Sequence, residues 1–210
     1  MPFKPTEWSV VLVGNWNPAI LTPVGIAQRL FGLPTGQPIE VLIPLDQIAP
    51  FRVLVGDLVV TASMDRLEIT AKEPTYECLE HARKVGIRAL DELPVTPVSA
   101  AGYNLRFASD KPEADALGLF ECGIDAAISD EGFVISERAI RRSLAFGEGQ
   151  INLSIEYKTD GACAILCNFH LGSRAPEQLK VWLSKPISEV EDKAESLLKR
   201  VLKANLEVGI

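Results

Sequence analysis

The chain has 210 residues, with 21 Lys+Arg against 28 Asp+Glu, two His and 47% hydrophobic residues. That hydrophobic fraction excludes a disordered chain, and the length suits one large domain or two small, tightly joined ones. The net charge of −7 argues against unspecific nucleic-acid binding and against an anionic membrane surface, both of which reward excess positive charge.

Met1–Glu7 lacks the basic-then-apolar pattern of a signal peptide. The apolar runs Val10–Val13 and Ala162–Cys167 are far below the ~20 residues needed to span a bilayer. A soluble, cytoplasmic protein is expected. The four cysteines, Cys78, Cys122, Cys163 and Cys167, sit in apolar or amphipathic surroundings, as reduced core thiols do.

In chain order, Glu7–Asn15 reads as a strand broken by Asn15-Trp16-Asn17-Pro18. Thr22-Pro23 opens a short helix that ends at Leu30-Phe31 before Gly32. Ile39–Leu45 alternates as a strand, with Pro44 marking an edge. Arg52–Val55, Leu58–Ser63 and Leu67–Ala71 follow as strands, joined by turns at Gly56-Asp57 and Met64-Asp65. Pro74 opens a longer helix to about Leu93, with Leu79, Ala82, Val85, Ala89, Leu90 and Leu93 as its apolar stripe. After Pro94 and Pro97 come a strand at Val98–Phe107 and a short helix at Pro112–Phe120. Strand-like segments follow at Ile124–Ser129 and Phe133–Glu137. Glu137–Phe146 fits either a helix or a strand. Gln150–Tyr157 alternates cleanly and turns at Thr159-Asp160-Gly161. Ala162–Phe169 is apolar on both faces, as in a buried strand. Leu171–Lys185 reads as irregular or briefly helical, and Pro186 opens a final long helix to about Leu206.

The chain also resembles itself. A shift of 89 lays Ser9–Gly32 over Val98–Glu121 without gaps, with Asn15/Asn104, Ala19/Ala108, Pro23/Pro112, Ala27/Ala116, Leu30/Leu119 and Phe31/Phe120 identical. Six identities in 24 positions exceed the roughly one or two expected at ordinary composition. A shift of 112 aligns the two long helices from Pro74 and Pro186. A shift of 93 lays Gly56-Asp57-Leu58 over Gly149-Gln150-Ile151. The expectation is an internally duplicated α+β protein, with a first half at 1–97 and a second at 98–210 forming one compact domain around a shared sheet. The halves carry 8 basic and 11 acidic groups, and 13 and 17, so the acidity is not segregated.

This order of elements resembles the TATA-binding-protein-like fold, in which two halves share a curved antiparallel sheet with both long helices on one face. The resemblance implies a fold and not DNA binding. Exposed strand positions here include Glu40, Glu68, Asn152, Ser154 and Glu156, unlike a basic saddle. A weaker resemblance, through Gly-Tyr-Asn-Leu-Arg-Phe at 102–107 and Asn-Phe-His at 168–170, is to a sporadic bacterial protein family of unknown function. It implies no activity and no catalytic residues.

Three constellations could carry chemistry. Each histidine lies three residues after a cysteine, so Cys78, His81, Cys167 and His170 could close a tetrahedral zinc site. The plainer reading is two buried thiols and two imidazoles, since Cys167 and His170 point to opposite faces of a strand. Asn15 and Asn104 end equivalent strands and either cap the following turns or, with Trp16, Asn17 and Arg106, form a recognition patch. Arg138, Arg141 and Arg142 form either an ion-paired face or an anion site. A P-loop, a nucleophile elbow, HExxH and a CxxC pair are all missing from the sequence. The expectation is a non-catalytic binding or assembly module with no cofactor. Its partner would be a protein, a second copy or a small ligand, but not nucleic acid or membrane. The alternative is an enzyme or ligand-binding protein with a cleft between sheet and long helices.

Overall fold

The computed structural model describes residues 2–45, 49–111, 120 and 122–206. The strands are β1 (Lys4–Gly14), β2 (Glu40–Leu42), β3 (Arg52–Val55), β4 (Leu58–Ala62), β5 (Arg66–Ala71), β6 (Val98–Ser109), β7 (Glu137–Phe146), β8 (Gly149–Lys158) and β9 (Cys163–Gly172). They form one antiparallel sheet in the order β2-β3-β4-β5-β1-β6-β9-β8-β7. Residues before Pro94 supply one flank and residues after Pro97 the other, and β1 pairs with β6 at the centre. The protein is therefore α+β with a single open sheet.

Helices α1 (Pro23–Phe31), α2 (Tyr76–Glu92), α4 (Pro176–Leu183) and α5 (Ile187–Glu195) bury their apolar stripes against one face. Thr22 caps α1 by accepting from the Gly25 amide, and Gly32 closes it at φ 68°, a left-handed conformation that glycine adopts without a Cβ penalty. Thr75 caps α2 through the Cys78 amide. Leu79, Ala82, Val85, Ala89 and Leu90 of α2 are buried, at the 3–4 residue spacing of one helix face. Beneath the helices lie Trp8, Val10, Leu12, Leu67, Ile69, Tyr103, Leu105 and Phe107, all essentially inaccessible. Trp8 packs between the Tyr76 and Phe107 rings, at centroid distances of 4.6 and 5.7 Å. Fully burying a leucine or valine contributes about 1.5–3 kcal/mol, so this layer dominates the stability. At Gly102 a Cβ would lie 2.0 Å from the Phe169 carbonyl oxygen. Only glycine lets β6 and β9 approach so closely there.

Several expectations change. Ile124–Ser129 is not a strand but lies in helix α3 (Ile124–Asp130), which buries none of its residues. Without a buried face its sequence carries no helical apolar stripe. Phe133–Ser136 is not strand, and the strand begins at Glu137. Glu137–Phe146 resolves as edge strand β7, paired along its whole length with β8. The expected strand Ile39–Leu45 shrinks to the edge strand β2. Strand β9 is buried on one face only: Cys163, Ile165, Cys167, Phe169 and Leu171 are buried, while the residues between them are half-buried or exposed. Leu171–Lys185 contains the regular helix α4. The final helix is interrupted, since α5 passes into a π-helical turn at Ser196–Val201. There the Leu202 amide donates to the Leu197 carbonyl, one residue beyond α-helical spacing. The helix expected at Pro112–Phe120 lies, except for Phe120, outside the described residues.

Candidate functional site: the open face of the sheet

A strand points alternate side chains to opposite faces. Every residue that β1, β5, β6, β8 and β9 turn toward the helices therefore leaves its neighbours on the other face. Among the described residues, no helix covers that face. It presents Glu7, Glu68, Thr70, Asn104, Arg106, Asn152, Ser154, Glu156, Ala164, Leu166, Asn168 and His170, with Ser9 on the same side but buried among its neighbours.

The β1–β6 ladder runs from Lys4–Ala108 to Gly14–Val98, with Ser9–Asn104 and Val10–Tyr103 as its two central pairs. Ser9 pairs onward with Thr70, Val59 and Leu54. Asn104 pairs onward with Asn168, Asn152 and Ser143. On the second side the amides join in one series. Ser143 Oγ and Gln150 Nε2 donate to Asn152 Oδ1 at 2.9 and 3.0 Å. Asn152 Nδ2 donates to Asn168 Oδ1 at 2.9 Å, and Asn168 Nδ2 donates to Asn104 Oδ1 at 2.8 Å. The Ser143, Asn152 and Asn168 donors point toward β1, so the two asparagine amide dipoles add, while Gln150 donates along β8. Asn104 Nδ2 ends the series without a protein acceptor among the described residues. Each asparagine also retains an N–H for another partner, and Asn168 and Asn104 retain a second lone pair, whereas both lone pairs of Asn152 Oδ1 are taken. Beyond the gap, Ser9 Oγ donates to Glu68 Oε1 at 2.9 Å.

Counting outward from Ser9–Asn104 also relates two depressions. One, of 210 Å³, is lined by Glu7, Arg52, Val59, Thr61, Glu68 and Thr70, together with Ala49 and Pro50. The other, of 320 Å³, is lined at the corresponding places by Arg141, Asn152, Ser154, Leu166 and Asn168. Arginine and a hydroxyl thus recur on both sides, while Glu68 corresponds to Leu166.

Trp16 cannot serve an exposed recognition patch. It is 3% exposed, and its Nε1 donates to the Leu12 carbonyl at 3.1 Å. Asn15 follows β1 and donates its backbone N–H to the Pro97 carbonyl. Asn17 accepts the Ala19 amide at 2.9 Å, closing its own turn. Asn104 does not end a strand, because β6 continues to Ser109. Its cross-strand partner on β1 is Ser9. Arg106 lies on the open face with its Nε 3.3 Å from Glu7 Oε1.

The three clustered arginines do not converge. Arg138 Nε holds Asp125 Oδ2 at 2.7 Å, tying α3 to β7. Arg141 lies on the open face, 3.8 Å from Glu156 Oε1. Arg142 donates to the Arg141 carbonyl. The ladder Asn104–Asn168–Asn152 was not anticipated as a unit. Its sequence signal was polar residues recurring at alternate positions of β8 and β9.

Nor do the Cys/His pairs meet. Cys167 is fully buried under the helices, while His170 lies on the opposite, open face of β9. On α2, His81 Nδ1 lies 2.7 Å from Asp57 Oδ1. Burial opposes the Asp57 carboxylate, but hydrogen bonds from His81, its own backbone and Cys78 outweigh that and hold it below the usual range. Among the described residues, no group of three His, Cys, Asp or Glu is placed to hold a metal ion. Likewise, no helix there is long and apolar enough to cross a membrane. No family model matches the chain, and no curated protein is significantly similar to it.

Proposed function

We propose that the chain is a non-catalytic binding and assembly module, internally duplicated in the manner of the TATA-binding-protein-like fold, whose working surface is the open face of its sheet. The observation that carries this reading is the part-buried, hydrogen-bonded Asn104–Asn168–Asn152 ladder, which no helix among the described residues covers. Side chains held in register by their neighbours lose little freedom on binding.

Support for duplication is topological. β1 and β6, the first strand of each half, meet at the centre, and each half builds outward from its own edge toward them. A two-fold relation taken about the Ser9–Asn104 pair would lay Ser9 over Asn104, six residues from the sequence alignment that laid Asn15 there. The turn-based shift of 93 is consistent with the new register, since it overlays Val59 on Asn152.

The partner that fits the second half of the open face is a second copy of the chain. Glu7 beside Arg106 and Glu156 beside Arg141 give alternating charge, and amides are both donors and acceptors. Such a patch complements itself across a two-fold axis. Exposed Ala164 and half-buried Leu166 supply a small apolar centre. The alternative of a cleft between sheet and helices gains less support, because Trp8, Leu12, Tyr103, Leu79 and Leu183 fill that layer.

Light scattering on a sizing column tests the reading. A mass near twice 22.9 kDa that falls to the monomer in Ala164→Arg is expected. A monomeric parent removes assembly from the account.

A further inference from the structure

The two depressions differ in one respect that selects a ligand. In the second, Arg141 has Glu156 nearby at 3.8 Å. In the first, Arg52 has no carboxylate within ion-pair distance among the described residues. Glu68 receives only the Ser9 hydroxyl, on Oε1, which leaves Oε2 free.

Arg52, Thr61 and Glu68 are successive cross-strand partners. Two strand spacings separate the backbones of Arg52 and Glu68 by about 10 Å. A guanidinium and a carboxylate thus face one another across the Thr61 hydroxyl, within a depression of 210 Å³ that Ala49 and Pro50 also line. Neither charge has an ion-pair partner among the described residues, and Glu7, the other carboxylate lining the depression, is held by Arg106.

We infer that this depression binds a small zwitterion of the amino-acid class. Its carboxylate lies on Arg52, where the planar guanidinium accommodates both oxygens. Its ammonium lies on Glu68 Oε2, with the Thr61 and Thr70 hydroxyls beside the chain between them. The second depression lacks this pairing, since Leu166 replaces Glu68. The inference goes beyond the assembly reading and does not depend on it.

Calorimetric titration with glycine, 4-aminobutyrate and 6-aminohexanoate tests it, with butyrate and butylamine as singly charged controls. At least one zwitterion is expected to bind at about 1 mM or tighter, and the controls at least about tenfold more weakly. Arg52→Gln and Glu68→Gln should each lose at least about tenfold in affinity, with unchanged circular dichroism. Glutamine retains an acceptor for Ser9, so the fold is preserved. Repeating the titration on Ala164→Arg separates ligand binding from self-association. Failure of all three zwitterions to bind, equal binding of the controls, or undiminished binding by Arg52→Gln would each overturn the inference.

Discussion

Asn168 Nδ2 donates to Asn104 Oδ1 at 2.8 Å, between residues directly opposite each other on β9 and β6. Asn168 also accepts from Asn152, so it is the middle member of the ladder. Removing it breaks two hydrogen bonds and strands two neighbours.

Asn168→Ala should therefore destabilise the protein by about 1–2 kcal/mol, and Asn104→Ala by less, because a net hydrogen bond is worth about 1 kcal/mol. The pair should be non-additive by roughly 0.5 kcal/mol or more in a double-mutant cycle. Urea denaturation measures this. Additive losses would mean that the two amides act separately.

Thiol reactivity should follow burial. Burial pushes the Cys163 thiol up to about 11 and Cys167 up to about 12, while Cys122 is exposed. Thiolates are the reactive species. Iodoacetamide at pH 8 should label Cys122 in the native protein and reach Cys163 and Cys167 only after unfolding. Peptide mass spectrometry reads the order. Early labelling of Cys167 would contradict its place beneath the helices.

The Asp57–His81 contact ties the β3–β4 turn to α2. Because the folded protein holds the Asp57 carboxylate below its usual range, the stabilisation is present above the unfolded value, about 3.9. It is lost as pH falls through the folded value. Both side chains are over 40% exposed, so the effect should be only a few tenths of a kcal/mol. Denaturation of Asp57→Asn and the parent should show that gap at pH 6, narrowing in acid as the carboxylate takes up its proton. A gap that persists in acid would assign the effect to packing.

Alternating strands and Thr-capped helices were legible because a half-buried element writes its period into the sequence. Gln150–Tyr157 and Thr22–Phe31 are examples. Ile124–Asp130 was misread because a helix that buries nothing leaves no such period. Trp16 was misplaced because a turn sequence does not say whether its aromatic tucks under the sheet's edge. The amide ladder needed the pairing register. Asn104, Asn168 and Asn152 become neighbours only when β6, β9 and β8 align, and that contact is non-local.

The central claim is that the open face of the sheet binds a second copy of the chain. Sedimentation equilibrium of the parent and of Ala164→Arg, over about 1–100 µM, tests it most directly. Position 164 is exposed on that face and outside the core, so the variant should fold normally. The account predicts a reversible dimer for the parent and a monomer for Ala164→Arg throughout the range. A parent that stays monomeric at the highest concentration, or a variant that dimerises equally well, contradicts it.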